Sequence, residues 1–157
     1  TIIEGNENEW LPLYYYALAK TKGMETVKKS EKDALLDAAQ VAIEKAMILQ
    51  PTESELCALQ ANIYMMRIAV KPLRGRSHSG LAYAALKTAK ALNNDNPRVY
   101  VLYGLMIYNT PKQFGGGEMA AGKWFYAAKE KFESFEATSE LHPTWGKDTN
   151  DKMLLNY

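Results

Sequence analysis

The stretch that decides the fold runs from Asn96 to Ala128: NPRVYVLYGLMIYNTPKQFGGGEMAAGKWFYAA. Pro97 stands at the first residue of a helix, the one place a helix welcomes proline. Tyr100, Tyr103, Gly104 and Ile107 follow at helical spacing and face inward, and the helix ends before Pro111. Phe114-Gly115-Gly116-Gly117 then reverses the chain, because glycine reaches backbone conformations denied to other residues. A second helix from about Glu118 carries Ala120, Trp124, Ala127, Ala128 and Phe132. The segment reads as two helices laid back to back across a glycine elbow.

Ser54 to Leu92 repeats this plan. Thr52 and Ser54 are capping residues for a helix bearing Leu56, Leu59, Ile63 and Met66. Pro72 to Gly80, PLRGRSHSG, reads as a basic elbow, and the helix after it carries Leu81, Ala84, Ala85, Leu86, Ala91 and Leu92 before Asn93 to Asn96 ends it. Toward the N-terminus, Trp10, Leu13, Tyr14 and Ala17 predict a helix that starts near Asn8 and runs to about Lys20. Ser30 opens SEKD, an N-cap with acids in the first turn, where the helix dipole favours them. The helix it begins places Leu35, Ala38, Ala39, Ala42, Ile43, Ala46 and Leu49 on one face, and Pro51 stops it at Gln50. Toward the C-terminus, TWGKD precedes a short amphipathic helix with Met153, Leu154 and Leu155, capped by Asp148. Strand patterning is absent: β-branched residues never alternate with polar ones over a useful length. The expectation is six helices and a short terminal one.

The chain has 157 residues, enough to bury a real core, and its 47% hydrophobic and 24% charged content is that of a globular protein. The net charge of +1 gives no reason to expect nucleic acid as a partner. Its distribution is uneven: residues 1–55 carry −4, residues 56–94 carry +6 without a single acid, and residues 95–157 carry −1. No apolar run approaches a membrane span, so no membrane insertion is expected. The single cysteine, Cys57, has no partner for an internal disulfide.

Alanines spaced seven apart mark the seams between helices: Ala39 and Ala46, Ala84 and Ala91, Ala120 and Ala127. Where antiparallel helices cross closely, only Gly or Ala lets the backbones approach to roughly 8–10 Å. Together with Ala61 and Tyr64, Gly104, Pro51 five residues after Ala46, and Trp10-x-x-Leu13, this pattern resembles the tetratricopeptide repeat over roughly residues 8–140. RG after a proline, NPR opening a helix, P-x-x-FGGG and HP-x-WG are similar to a group of small bacterial tetratricopeptide-like proteins of unassigned biochemistry. The Ala61-to-Gly104 interval is 43 residues, longer than the 34 of the standard repeat. The first repeat is degenerate, with Tyr14 or Ala17 at the small position. The resemblance implies an all-α, right-handed stack of antiparallel helix pairs, an α-solenoid of about three pairs plus a short C-terminal helix, in a single domain. Its repeat-like units are expected at approximately 8–51, 52–96 and 97–140, with a capping segment at 141–157. With a chain that opens on Thr1, it also favours a bacterial periplasm over the cytoplasm.

A concave face in such a stack commonly holds a peptide or protein. With Ala61 and Gly104 packed inward, the opposite positions are Ala58, Asn62 and Met65 on one helix and Arg98, Val101, Leu105, Tyr108 and Asn109 on the other. This mixture of apolar and amide groups suits an extended segment. The resemblance also implies a carboxylate clamp as one binding mode, for which Asn62 and Arg98 are the two candidate members, while Ala58, Val101 and Leu102 stand where further cations would be wanted. Arg67, Lys71, Arg74 and Arg76, with His78, form a basic cluster open to an anion or neutralised by the acidic N-terminal third. The glycine elbow lacks the Lys-Ser/Thr of a phosphate loop and follows no strand. Cys57, His78 and His142 share no metal-ligand spacing, and neither histidine has an obvious acid or nucleophile partner in the sequence, so no catalytic set, metal or cofactor is expected. The reading is a non-catalytic scaffold for a protein or peptide. The alternatives are a small-molecule binder with a pocket lined by Met65, Met66, Tyr103 and Tyr108, or a homo-oligomer associating through exposed tyrosines such as those of Tyr14-Tyr15-Tyr16.

Overall fold

The structure, a computed structural model, describes residues 9–157, so the expected helix start near Asn8 lies outside the described residues. Seven α-helices follow one another: α1 (Trp10–Gly23), α2 (Lys29–Leu49), α3 (Ser54–Val70), α4 (Gly75–Leu92), α5 (Pro97–Tyr108), α6 (Glu118–Glu133) and α7 (Lys147–Leu154). Short 3-10 turns occupy Pro72–Arg74 and Lys112–Phe114, and no strand occurs among the described residues. α1 packs on α2, α3 on α4 and α5 on α6, the paired all-α architecture that the sequence predicts. No described helix is long and apolar enough to cross a membrane. The chain gathers into two compact units that divide between Leu92 and Asn93.

In the first unit, α2 packs against both α1 and α3. Leu36, Ile43, Leu56, Leu59, Ile63 and Leu86 are fully buried at its centre. Two reciprocal amide hydrogen bonds between Gln40 and Gln60, of 3.0 and 2.9 Å, tie α2 to α3. Ser54 does not cap its own helix: its hydroxyl donates to the Ala89 carbonyl at 2.9 Å, pinning the start of α3 to the end of α4. The cap is the Glu53 carboxylate, which accepts from the Glu55 N–H. α2 likewise begins at Lys29, one residue ahead of the expected Ser30 cap, because the Glu31 carboxylate accepts the Lys28 N–H at 3.0 Å.

The basic elbow is shorter than its composition predicts. Pro72 starts a 3-10 turn, and α4 is under way at Gly75, five residues before Gly80. Ser77 and Ser79 fold their hydroxyls back onto the carbonyls of Arg74 and Gly75, at 3.1 and 2.6 Å, so these polar groups find partners within the first turns of the helix.

The seven-residue alanine spacing holds, but on other alanines. Ala39, Ala46 and Ala61 are fully buried as expected. In α4, however, Ala84 and Ala91 face water, and the fully buried pair is Ala82 and Ala89, with Leu86 between them on the same face. In α6 the fully buried pair is Ala121 and Ala128 around Phe125, while Ala120 and Ala127 are half-buried. Both helices hold two overlapping alanine pairs at this spacing, and the large residue four positions on selects which pair turns inward.

In the second unit, α5 crosses α6 at Gly104, where an added Cβ would stand 2.5 Å from the fully buried Phe125 ring. The elbow bends as expected, with Gly115 and Gly117 at φ +81° and +98°. Gly116 lies so close to the Thr110 carbonyl that a Cβ would come within 2.1 Å of it. The Gly117 N–H donates back to the Ile107 carbonyl at 2.9 Å, locking the elbow onto α5. α7 packs on α6 and α5, with the Asn150 amide donating to the Phe125 carbonyl at 3.1 Å. Its N-cap is Gly146 at φ +101°, not Asp148, since the left-handed turn there leaves Asp148 inside the first turn.

The inward register is tested by substitution and urea unfolding. Gly104→Ala and Ala82→Leu each lower stability by about 1–3 kcal/mol through overpacking, whereas Ala84→Leu stays within about 0.5 kcal/mol of the parent.

Candidate ligand-binding surface

Helices α3 and α5 share a gradient along their length. Residues 54–61 of α3 and 97–104 of α5 are buried on every side, while Asn62 and residues 64–68 of α3, and residues 105–108 of α5, are half-buried. The second half of each helix therefore offers side chains that are positioned by packing yet still meet solvent. On α3 these include Asn62, Tyr64, Met65 and Met66; on α5 they are Leu105, Met106, Ile107 and Tyr108.

Of the residues that the sequence points to, this places Asn62, Met65, Leu105, Tyr108 and the exposed Asn109 at accessible positions. Ala58, Arg98 and Val101 are withdrawn, at 0, 0 and 1% exposure. The reason is the enclosed first halves of the two helices, which bury the positions one or two turns nearer the N-terminus. Arg98 lies with its guanidinium over the Phe135 ring, 4.6 Å from the centroid, and its stem against Gly146. It is a buried structural cation rather than a surface clamp. Asn109 spends its amide on its own helix, donating to the Leu105 carbonyl at 2.7 Å as α5 ends.

The Met65, Met66, Tyr103 and Tyr108 set is divided in the same way. Three are half-buried, but Tyr103 is 5% exposed and stacked on Trp124, with ring centroids 4.5 Å apart and planes 19° apart. Tyr100 beside it donates its hydroxyl to Asn94, and burial pushes that phenol above its ordinary pKa. Tyr14 is fully buried, whereas Tyr15 is exposed.

The basic cluster is largely occupied by α2. Arg67 pairs with Asp37 at 2.8 Å, and Asp33 receives Lys71 at 2.8 Å and both Arg74 nitrogens at 2.6 and 3.1 Å. Those hydrogen bonds, Arg74's first and Lys71's second, hold the Asp33 carboxyl well below the usual carboxylate range. Asp33 in turn raises Arg74. Arg76 remains exposed on the outer side of α4. Lys29, Val70, Lys71, Pro72, Leu73, Arg74 and Ser77 border an open depression of about 620 Å³.

Among the described residues no group of three His, Cys, Asp or Glu side chains comes together to hold a metal ion. Cys57 is buried, and burial pushes its thiol up, away from thiolate chemistry. His142 packs on Phe135 and shares a 2.9 Å hydrogen bond with Thr138. His78 has a different setting: its ring meets Tyr64 edge to face, with centroids 5.9 Å apart and planes at 69°. Nothing in the sequence paired these two residues. Counting back along antiparallel helices from the Ser54–Ala89 contact would bring them opposite each other, but only with α4 starting at Gly75, which the glycines and serines there obscure.

No family model matches the chain, and no curated protein does. Among solved structures, the chain is similar to the HusA haemophore from Porphyromonas gingivalis, with a TM-score of 0.84 and 26% sequence identity, covering 94% of this chain and 74% of that one. The likeness spans both helical units and is to a protein named as a haem carrier.

The Asp33 cluster carries its own test. A carboxylate whose folded pKa is depressed contributes stability above its unfolded pKa, near 3.9, and loses it as pH falls further. Asp33→Asn is therefore less stable than the parent at pH 7 in thermal melts, and the gap between the two closes progressively below about pH 4.

Proposed function

We propose that this chain binds haem or a closely related tetrapyrrole as cargo and performs no chemistry on it. The similarity to the HusA haemophore, over nearly the whole chain, is the observation that carries this reading. The half-buried second half of α3 is in keeping with it. A flat, mostly apolar ligand gains roughly 25 cal/mol for each Å² of apolar surface taken from water, and methionine provides such surface without a fixed shape. Within the first unit, Met65 and Met66 of α3 are the residues proposed to meet it.

The residues alone favour a peptide scaffold. Two of the polar groups that reading depends on are committed elsewhere: Arg98 is fully buried, and the Asn109 amide caps its own helix. The haemophore similarity moves the balance to the small-ligand alternative, with half-exposed side chains in place of an enclosed pocket.

The test is a titration of ferric haem followed at the Soret band. The expected outcome is a saturable spectral change, with Met65→Glu and Met66→Glu each weakening it by roughly tenfold or more, because a carboxylate resists burial against an apolar ligand. A linear, unsaturable response like that of haem in buffer would overturn the reading. Selective capture of C-terminal peptides by a chain that ignores haem would restore the scaffold.

A further inference from the structure

The elbow between α3 and α4 holds a leucine out in water. Leu73, the middle residue of the 3-10 turn Pro72–Arg74, is 94% exposed, more than any other large hydrophobic residue described. A lone surface leucine is ordinary; this one differs in what holds and surrounds it. Pro72 fixes the first φ of the turn, and the Arg74 N–H closes it onto the Lys71 carbonyl at 2.9 Å. Asp33 clamps both flanks, receiving Lys71 at 2.8 Å and Arg74 at 2.6 and 3.1 Å. A braced turn, not a loose loop, presents the side chain. Charge around it is one-sided. Val70, Pro72 and Leu73 border the open depression together with Lys29, Lys71 and Arg74, and among the described residues no acid borders it. Asp33 offers one carboxylate to Lys71 and Arg74 together, while Lys28 and Lys29 at the start of α2 are exposed and the Glu31 carboxylate beside them accepts the Lys28 N–H.

We infer that this elbow is a peripheral docking point for a bilayer rich in anionic lipid, with Leu73 entering the boundary between headgroups and acyl chains and Lys28, Lys29 and Lys71 meeting the lipid phosphates. Charge complementarity selects this partner over an acidic protein. Arginine is the better match to the fixed, planar carboxylates of a protein surface, and the arginine of the depression is already held by Asp33. The remaining charges are lysines, compact cations on flexible stems that follow mobile headgroups, and they stand beside an aliphatic side chain with no core to join. A single aliphatic anchor with a few cations gives reversible attachment, strengthened by the negative potential of the membrane surface. The inference stands apart from haem binding and needs no haem in its test.

The experiment sediments the haem-free chain with phosphatidylcholine vesicles, with and without about one-third phosphatidylglycerol. Circular dichroism checks that each variant stays helical. Wild type is expected to bind the anionic vesicles at least about tenfold more tightly than the neutral ones, and to lose most of that preference as salt is raised. Leu73→Ser and Lys29→Glu each weaken binding by about fivefold or more, whereas Ile48→Ser, which removes another exposed aliphatic side chain of the same unit, stays within about twofold. An environment-sensitive dye on Leu73→Cys shifts its emission to the blue with anionic vesicles, and the same dye on Ile48→Cys does not; the buried Cys57 leaves the introduced thiol as the one labelled. Absence of wild-type binding to anionic vesicles, or unchanged binding by either Leu73→Ser or Lys29→Glu, would overturn the proposal. Retention of polyglutamate by a chain that ignores the vesicles would assign the surface to an acidic polypeptide and overturn it as well.

Discussion

The absence of a side chain at Gly104 sets the distance between α5 and α6. The Phe125 ring occupies the volume a Cβ would need, and neither partner has room to yield. Equivalent closeness in the other pairs comes from Ala39, Ala46, Ala61, Ala82 and Ala89, all fully enclosed. Where backbones come this near, the first halves of α3 and α5 are surrounded completely, and even Arg98 is taken out of water. The second halves escape that enclosure. Packing in one half of a helix thus contrasts with partial exposure of the other.

Punctuation in the chain was easy to read because single residues impose it. Pro51 and Pro97 forbid or favour helix at one position each, and the run Gly115 to Gly117 supplies two left-handed backbones and one carbonyl contact that no other residue would permit. Register was harder. With alanine at both 82 and 84 and at both 120 and 121, spacing cannot choose a face; the choice falls to Leu86 and Phe125, whose size makes their burial the larger gain. Lys71 to Gly80 misled for another reason: serines and glycines read as loop, yet Gly75 to Gly80 belong to α4, with the serine hydroxyls satisfied by backbone carbonyls one turn back. Arg98 misled too, since a cation in the first turn of a helix ordinarily stays wet.

The charge pattern resolves into a local bargain between neighbouring helices. Six bases without an acid between residues 56 and 94 suggest a surface waiting for an anion. Asp33 and Asp37 answer three of them from α2, so the acidic and basic thirds of the sequence meet as ion pairs across one helix face. Such exposed pairs contribute modestly to stability. Their larger effect is to engage Arg67, Lys71 and Arg74 within the fold, leaving Arg76 exposed beyond them on α4.

Cys57 sits at 3% exposure as the chain's sole cysteine, its thiol held protonated by its surroundings. Nothing covalent therefore joins one part of the fold to another, and the same packing serves in reducing and oxidising compartments alike. A cysteine engineered onto the surface would be the single reactive sulfhydryl on the molecule, open to a spectroscopic label while the native one stays silent.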